Sequence, residues 1–251
     1  MLNRISLTSE AELVDIILQK ISKLREEKGS EKQVLLLVEK YRQLLSSAVV
    51  NLYFEEALTY QHLYMNDSSN KKALLNMQKS VIKAGEYINM FNLRQWQSRY
   101  FRFLGRIEDY KSNFKKSSEY YKMSLKYVKK DPDVVVKKIP RELELTGFLA
   151  FALIMSGKTK EGLEVFGKVI LKFTKSKIGV DLKNKDFDTW VIWFSAVVIN
   201  KYRALTRRNI FFNKEDAIRE FEMVQNELSK KPNEYLYRKK EFQEIKDMIF
   251  N

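Results

Sequence analysis

Arg99, Arg102 and Arg106 stand three and four residues apart, so on a helix they form one stripe. A guanidinium is a planar fork of donors, and a row of such forks suits carboxylate or phosphate oxygens. That is binding chemistry. Residues for bond-breaking chemistry are scarce. There is no cysteine, which excludes disulfides, thiolate metal sites and cysteine nucleophiles. His62 is the one histidine, and Glu55 and Glu56 lie near it. A di-iron bundle needs Glu-x-x-His twice, so His62 reads as a polar residue on a partly exposed helix face. We expect no metal and no cofactor. Gly157-Lys158-Thr159 matches the end of a phosphate-binding loop, yet the position where that motif needs its first glycine is Ala152, within an apolar helix. Gly157 reads instead as a turn between two helices. The many carboxylates fall among lysines on helix faces, where such pairs support a helix by roughly a few tenths of a kcal/mol. We therefore expect no enzyme.

Charge offers a second kind of binding. The net charge is +14 and uneven: residues 1–90 carry 12 basic and 11 acidic side chains, and the other 161 carry 34 and 21. An excess of this size favours acidic partners, nucleic acid or anionic surfaces. Lys115, Lys122, Lys126 and Lys129 form one basic stripe, and Lys201, Arg203, Arg207 and Arg208 cluster further on. Arg238-Lys239-Lys240 adds a third patch. Such faces track a nucleic-acid backbone, although most aromatics fall on inward stripes and base stacking needs exposed ones.

The elements that must carry these residues read as helices throughout. The 45% hydrophobic content suits a folded chain, and eight glycines with three prolines leave little room for turn-rich β structure. Ser9 with Glu12 makes a capping box for a first helix, with Leu13, Ile16, Ile17, Ile21 and Leu24 as its stripe and Gly29 closing it. Ser30 with Gln33 opens the next, whose periodicity runs to about Met65, with a break expected at Ser46-Ser47. Asn70 caps a helix through Ala84; Gly85 ends that helix or starts a short connection. Helices over Asn92–Tyr110 and Asn113–Lys130 form a central hairpin, turning near Ser112 and Asn113. DPDVVVKKIP, bracketed by two prolines, reads as an extended linker. Arg141–Met155 and Thr159–Thr174 form the next pair, and KSKIGVDLKNKD reads as a loop. Asp186–Arg208 follows, with Trp190, Trp193, Phe194, Val197 and Val198 inward. Then come Asn213–Leu228, with Asn213 as its cap, and a final helix from Pro232 to Phe250. The acidic N-terminus does not look like a secretion signal, and the longest apolar run, about twelve residues from Thr189, is too short to span a membrane. A cytoplasmic location without a membrane span is the expectation.

The central hairpin resembles the tetratricopeptide repeat (TPR). Phe101, Leu104-Gly105, Ser117, Tyr121, Ser124 and Asp131-Pro132 fill that family's large, Leu-Gly, small, aromatic, small and proline roles, and the Gly105-to-Ser117 gap of twelve is the family's own. Two positions depart from it: the first tyrosine falls on Glu108, and Pro132 arrives about three residues late. Ala150 to Gly162 repeats the gap, with Phe166 and Val169 following. Ala217, Phe221 and Val224 repeat the second helix, and Ala73, Met77 and Ser80 do so more faintly. The small positions Ala73, Ser117, Gly162 and Ala217 are 44, 45 and 55 apart, longer than the standard of roughly 34.

The resemblance implies an all-α fold of antiparallel helix pairs stacked as a right-handed, TPR-like α-solenoid. Residues 1–65 would be N-terminal helices or a cap, 66–230 divergent pairs, and 231–251 a C-terminal capping helix whose Phe242, Ile245 and Ile249 seal the core. It also implies that the first helix of each pair lines a concave groove. Arg99, Arg102 and Arg106 would then sit at its basic centre, with Glu55 and His62 before them and Phe151 and Met155 after. The expected function is a non-catalytic protein–protein adaptor or scaffold, gripping a protein or peptide of acidic character. The alternative is a nucleic-acid-binding helical-repeat protein that uses the lysine-rich faces.

Overall fold

The computed structural model describes residue 17, residues 19–24 and residues 31–250. Residue 17 and residues 19–24 are helical. The capping box at Ser9 and Glu12, the stripe residues Leu13 and Ile16, and Gly29 and Ser30 lie outside the described residues.

From residue 31 onward the described chain holds eleven α-helices and no strand. They are α1 (Glu31–Asn66), α2 (Lys71–Met90), α3 (Gln97–Tyr110), α4 (Phe114–Tyr127), α5 (Pro132–Val135), α6 (Glu142–Met155), α7 (Thr159–Lys175), α8 (Lys177–Lys185), α9 (Phe187–Arg207), α10 (Lys214–Leu228) and α11 (Leu236–Phe250). Single 3-10 turns at Arg94–Trp96 and Val128–Lys130 precede α3 and follow α4. None of these helices is long and apolar enough to cross a membrane.

Capping chemistry starts several of them. The side chain of Asn70 accepts from the Ala73 amide, that of Asn213 from Glu215 and Asp216, and that of Asp186 from Thr189. Each satisfies a backbone donor that the first turn leaves open. Consecutive helices then pack as pairs, α1 with α2, α3 with α4 and α6 with α7. The pairs are joined through α2 on α3 and α4 on α6. Helix α9 packs against α6, α7, α8, α10 and α11, which explains why it is apolar nearly all round. Its Trp190, Trp193, Phe194, Val197 and Val198 are all buried, as their spacing indicates.

The α3–α4 contact explains three small residues. Gly105 faces the Tyr121 ring so closely that an added Cβ would lie 2.6 Å from it. Ser117 and Ser124 are fully buried, and the Ser124 hydroxyl donates to the Ser98 carbonyl at 2.7 Å. Tyr121 is completely enclosed.

Several local expectations change. Helix α1 passes unbroken through Ser46 and Ser47, because the Ser46 hydroxyl donates to the Arg42 carbonyl and needs no break in the ladder. Helix α2 does not end at Gly85; it runs on to Met90, and the Tyr100 ring packs against the glycine. The expected loop KSKIGVDLKNKD is mostly helix α8, capped by the Ser176 hydroxyl accepting from Gly179. The expected linker DPDVVVKKIP folds into the short helix α5, with Asp131 as N-cap and Pro132 in the first turn, a position where its missing N–H costs nothing. The last helix begins at Leu236, four residues later than expected. On α3 the most deeply buried apolar side chains are Phe103 and Ile107. Phe101 is only half-buried and stacks instead on Tyr120 and Tyr127.

Candidate functional site: an arginine-lined cleft

A cleft of about 340 Å³ lies among α1, α3, α6, α9 and α11. The first helix of every pair contributes to it, and so does the last helix. Six guanidiniums line it: Arg99, Arg102 and Arg106 from α3, Arg141 just before α6, Arg203 from α9 and Arg238 from α11. Among the described residues three carboxylates share the lining, Glu55, Glu144 and Glu241.

The arginine stripe on α3 is not a solvated face. Arg99 and Arg102 are 8% and 9% exposed. Each guanidinium lies over an aromatic ring. Arg99 covers Trp96 at 5.0 Å, Arg102 covers Phe103 at 4.5 Å, and Arg106 sits 4.9 Å from the Tyr110 ring centre and 4.8 Å from that of Phe148. Arg141 covers Trp193 at 5.7 Å. Contacts of this kind contribute up to about 2 kcal/mol when desolvated and hold the forks in fixed planes.

Buried charge also needs partners. The α5 segment supplies two carboxylates. Arg99 donates to Asp133 at 2.7 Å and to the Asn51 side chain at 2.9 Å. Arg141 also donates to Asp133 and reaches Glu144 at 3.2 Å. Arg102 reaches Glu144 at 3.1 Å. Burial alone would raise the Asp133 carboxyl, but the Arg141 and Arg99 guanidiniums and Lys137 outweigh it and hold it at about 2. Burial lowers the pKa of Arg99 and of Arg102.

The far end of the cleft is balanced differently. Glu241 accepts from Arg238 at 2.6 Å and from Arg203 at 3.0 Å, so one carboxylate serves two guanidiniums. Arg106 also acts on it electrostatically. Burial works to raise Glu241, and Arg238, Arg203 and Arg106 together pull it below the usual range. Arg106 itself donates to the Tyr110 hydroxyl at 2.8 Å and has only a long 3.5 Å contact to Asp109. Asp109 is turned towards the Ser117 and Tyr121 hydroxyls, and its burial pushes the carboxyl up. Four buried Nε–H groups, on Arg99, Arg102, Arg106 and Arg238, have no acceptor among the described residues, although buried donors are normally paired.

Five of the seven expected partner-binding residues therefore line this cleft: Arg99, Arg102, Arg106, Glu55 and His62. Glu55 and His62 are exposed, so the mouth runs along α1, and His62 stacks on Tyr237 of α11 at 6.3 Å. Phe151 and Met155 lie elsewhere. On α6 the lining residues are Glu144 and Phe148, and the same stripe then leaves the cleft; Phe151 is buried edge-on to Phe114, and Met155 borders an outer hollow beside it.

The basic faces separate likewise. Lys115, Lys122, Lys126 and Lys129 are all exposed along the outside of α4 and the turn after it. The second cluster does not stay together. Lys201 pairs with Glu220 at 2.7 Å, Arg203 enters the cleft, and Arg207 and Arg208 are exposed at the end of α9. Arg141, Glu144, Asp133 and Glu241 were missed from sequence. Arg141 and Glu144 carried one usable signal, a charged pair opening an otherwise apolar helix.

Comparison with protein families, curated proteins and solved structures finds no match for this chain. The cleft itself is thus the basis for assigning a function.

Proposed function

We propose that this protein is a non-catalytic binding protein, built as a right-handed TPR-like solenoid, that takes an acidic group of a partner protein into its inner cleft. One observation supports this above the others: α3, the residue just before α6, α9 and α11 turn guanidiniums into a single cavity edged by α1, where among the described residues they outnumber carboxylates six to three. In the TPR family the leading helices line the concave face, so the resemblance in Phe101, Gly105, Ser117 and Tyr121 and this placement agree. Ring-clamped guanidiniums lose little freedom on binding, which favours affinity. The cavity lies within the ~300–1,000 Å³ range of ligand sites.

The test uses the arginines least committed to the α5 carboxylates. Reversing Arg99 or Arg102 would set like charges together in a buried site and unfold the chain. Arg106→Gln with Arg238→Gln, which sets no like charges together, should leave the helical circular dichroism intact and abolish capture of protein partners in a pull-down. An unchanged set of partners with an intact fold would refute the assignment.

The outer face of α4 supports a second function, binding to a nucleic-acid backbone. Phe101 stacks there on Tyr120 and Tyr127, and of the four exposed lysines Lys126 lies over the Tyr127 ring. A salt-sensitive gel shift of generic RNA that disappears when Lys115, Lys122, Lys126 and Lys129 become Ala would establish it. No shift at low salt would dismiss it.

A further inference from the structure

The arginine cleft does not end at Arg238 and Glu241. Those two side chains also wall a smaller hollow of about 190 Å³, where the end of α1, the first half of α9 and the start of α11 meet. The rest of its wall is unlike the cleft and is mainly hydrocarbon and ring: Met65, Ile192, Tyr235 and the His62–Tyr237 stack. An apolar cavity of about 150 Å³ lined by Leu, Ile and Phe holds a benzene, so the hollow has room for one six-membered ring and not for a helix. The lining favours an aromatic ring over an aliphatic one. His62 and Tyr237 offer ring contacts, and the Met65 thioether suits a ring edge. The wall is also preformed. Tyr235 stands in left-handed backbone, with φ +57°, which a bulky residue adopts only where its surroundings hold it. Its hydroxyl donates to Asp188 and its ring packs on the core beneath α9 and α11, so little ordering remains to oppose binding. The guanidiniums are more open here than on α3. The Arg203 and Arg238 side chains are each 20% exposed, against 9%, 11% and 13% for Arg99, Arg102 and Arg106. Because Arg238 borders both spaces, one short segment can set an acidic group against it and a neighbouring ring in the hollow.

We propose that the cleft recognises a segment of a partner protein in which an aromatic side chain stands beside an acidic one, the ring seated in the hollow against Ile192 and the His62–Tyr237 stack. This rests on the assignment of the cleft to an acidic partner and adds the neighbour that the acidic residue must have. The arginines supply the charge, and the hollow supplies the selection among acidic segments.

Two matched peptides test this, acetyl-Asp-Asp-Phe-Asp-Asp-amide and the same peptide with Ala in place of Phe. Titration calorimetry on the whole chain should show the Phe peptide binding about tenfold more tightly. Tyr237 is 63% exposed, so Tyr237→Ala should keep the helical circular dichroism. It should reduce the Phe advantage to about twofold or less while the Ala peptide binds as before. Arg238→Gln should weaken both peptides. In protein labelled at its methionine methyl carbons, the Phe peptide should shift the Met65 signal, identified by its absence in Met65→Leu, and leave that of the fully buried Met77 in place. Equal affinities of the two peptides, or a Phe advantage that survives Tyr237→Ala, would overturn the inference; if both affinities still fell with Arg238→Gln, the acidic-partner function would stand without it. Binding of neither peptide, or binding indifferent to Arg238→Gln, would overturn both. A cyclohexylalanine peptide binding as tightly as the Phe peptide would overturn the choice of an aromatic ring. Phenylacetate binding as tightly as the Phe peptide would overturn the assignment to a partner chain.

Discussion

The inward face of α3 and the outward face of α4 carry the same kind of residue at the same kind of spacing, and they are physically opposite. Arg99, Arg102 and Arg106 are clamped on rings and, for the first two, nearly closed to solvent. Lys115, Lys122, Lys126 and Lys129 stand in water. Guanidinium is weakly hydrated and planar, so it tolerates burial against aromatics; an ammonium on a flexible stem does not.

The sharpest break of this contrast is a pair of single substitutions. Arg99→Ala leaves Asp131 and Asp133 buried with one guanidinium fewer, and breaking a buried pair costs roughly 3–5 kcal/mol. Lys115→Ala on the outer face should change stability by no more than about 0.5 kcal/mol. Urea unfolding of the two variants measures both. Equal losses would mean that the two faces do not differ in the way their burial indicates.

What the sequence showed and what it hid follow from the same physics. The small residues between α3 and α4 were legible because close helix approach has few solutions: Gly105 makes room for the Tyr121 ring, and the buried Ser117 meets Asp109 of α3. The arginine stripe was legible as a stripe. Its carboxylates were not, because Asp131 and Asp133 flank Pro132 in a stretch whose pattern reads as extended, 34 residues from Arg99 in the case of Asp133. The lone turn of α5 is fixed by a cap and by tertiary ion pairs, not by periodicity. Helix α8 was hidden likewise: nine residues with Gly179 inside carry little helical signal, and the helix owes its place to packing on α7 and α9. The inner position of α11 was invisible because its apolar face, Phe242, Ile245 and Ile249, explains the core contact and says nothing of Arg238 and Glu241 on its other side.

The wall between the two faces offers the next test. Tyr121→Ala should cost about 3 kcal/mol through the cavity it leaves. Tyr121→Phe keeps the ring and removes only the hydroxyl that donates to Asp109 at 2.6 Å, so it should cost about 1–2 kcal/mol. A negligible effect from the first would mean that the ring is not the spacer between α3 and α4.

Gly105→Ala presses on the same ring from the other side. Its Cβ would lie 2.6 Å from the Tyr121 ring, and overpacking of this kind typically costs about 1–3 kcal/mol. Gly167→Ala on α7 meets nothing within 4 Å and should instead stabilise by up to about 1 kcal/mol. Thermal melts that move in opposite directions would confirm that α3 and α4 approach at Gly105; melts that rise together would show the approach to be looser.

The smallest effect at ordinary pH, and the most specific to the inner face, is its acid sensitivity. Asp133 is held at about 2 in the folded protein, below the usual 3.8, so its pairing with Arg141 and Arg99 stabilises fully above that usual value and is lost as pH falls towards 2. Asp109 works the other way. Its folded pKa is raised, so protonation favours the fold as pH drops, and the buried charge weighs against it at neutral pH. Asp133→Asn should therefore flatten the fall in stability between pH 4 and 2, and Asp109→Asn should steepen the net fall across the acid range. Denaturant midpoints followed through that range distinguish the two. If Asp133→Asn left the profile unchanged, the α5 carboxylates would not be the partners that allow arginines to be buried on α3, and the contrast with the open lysine face of α4 would have to rest on the aromatic rings alone.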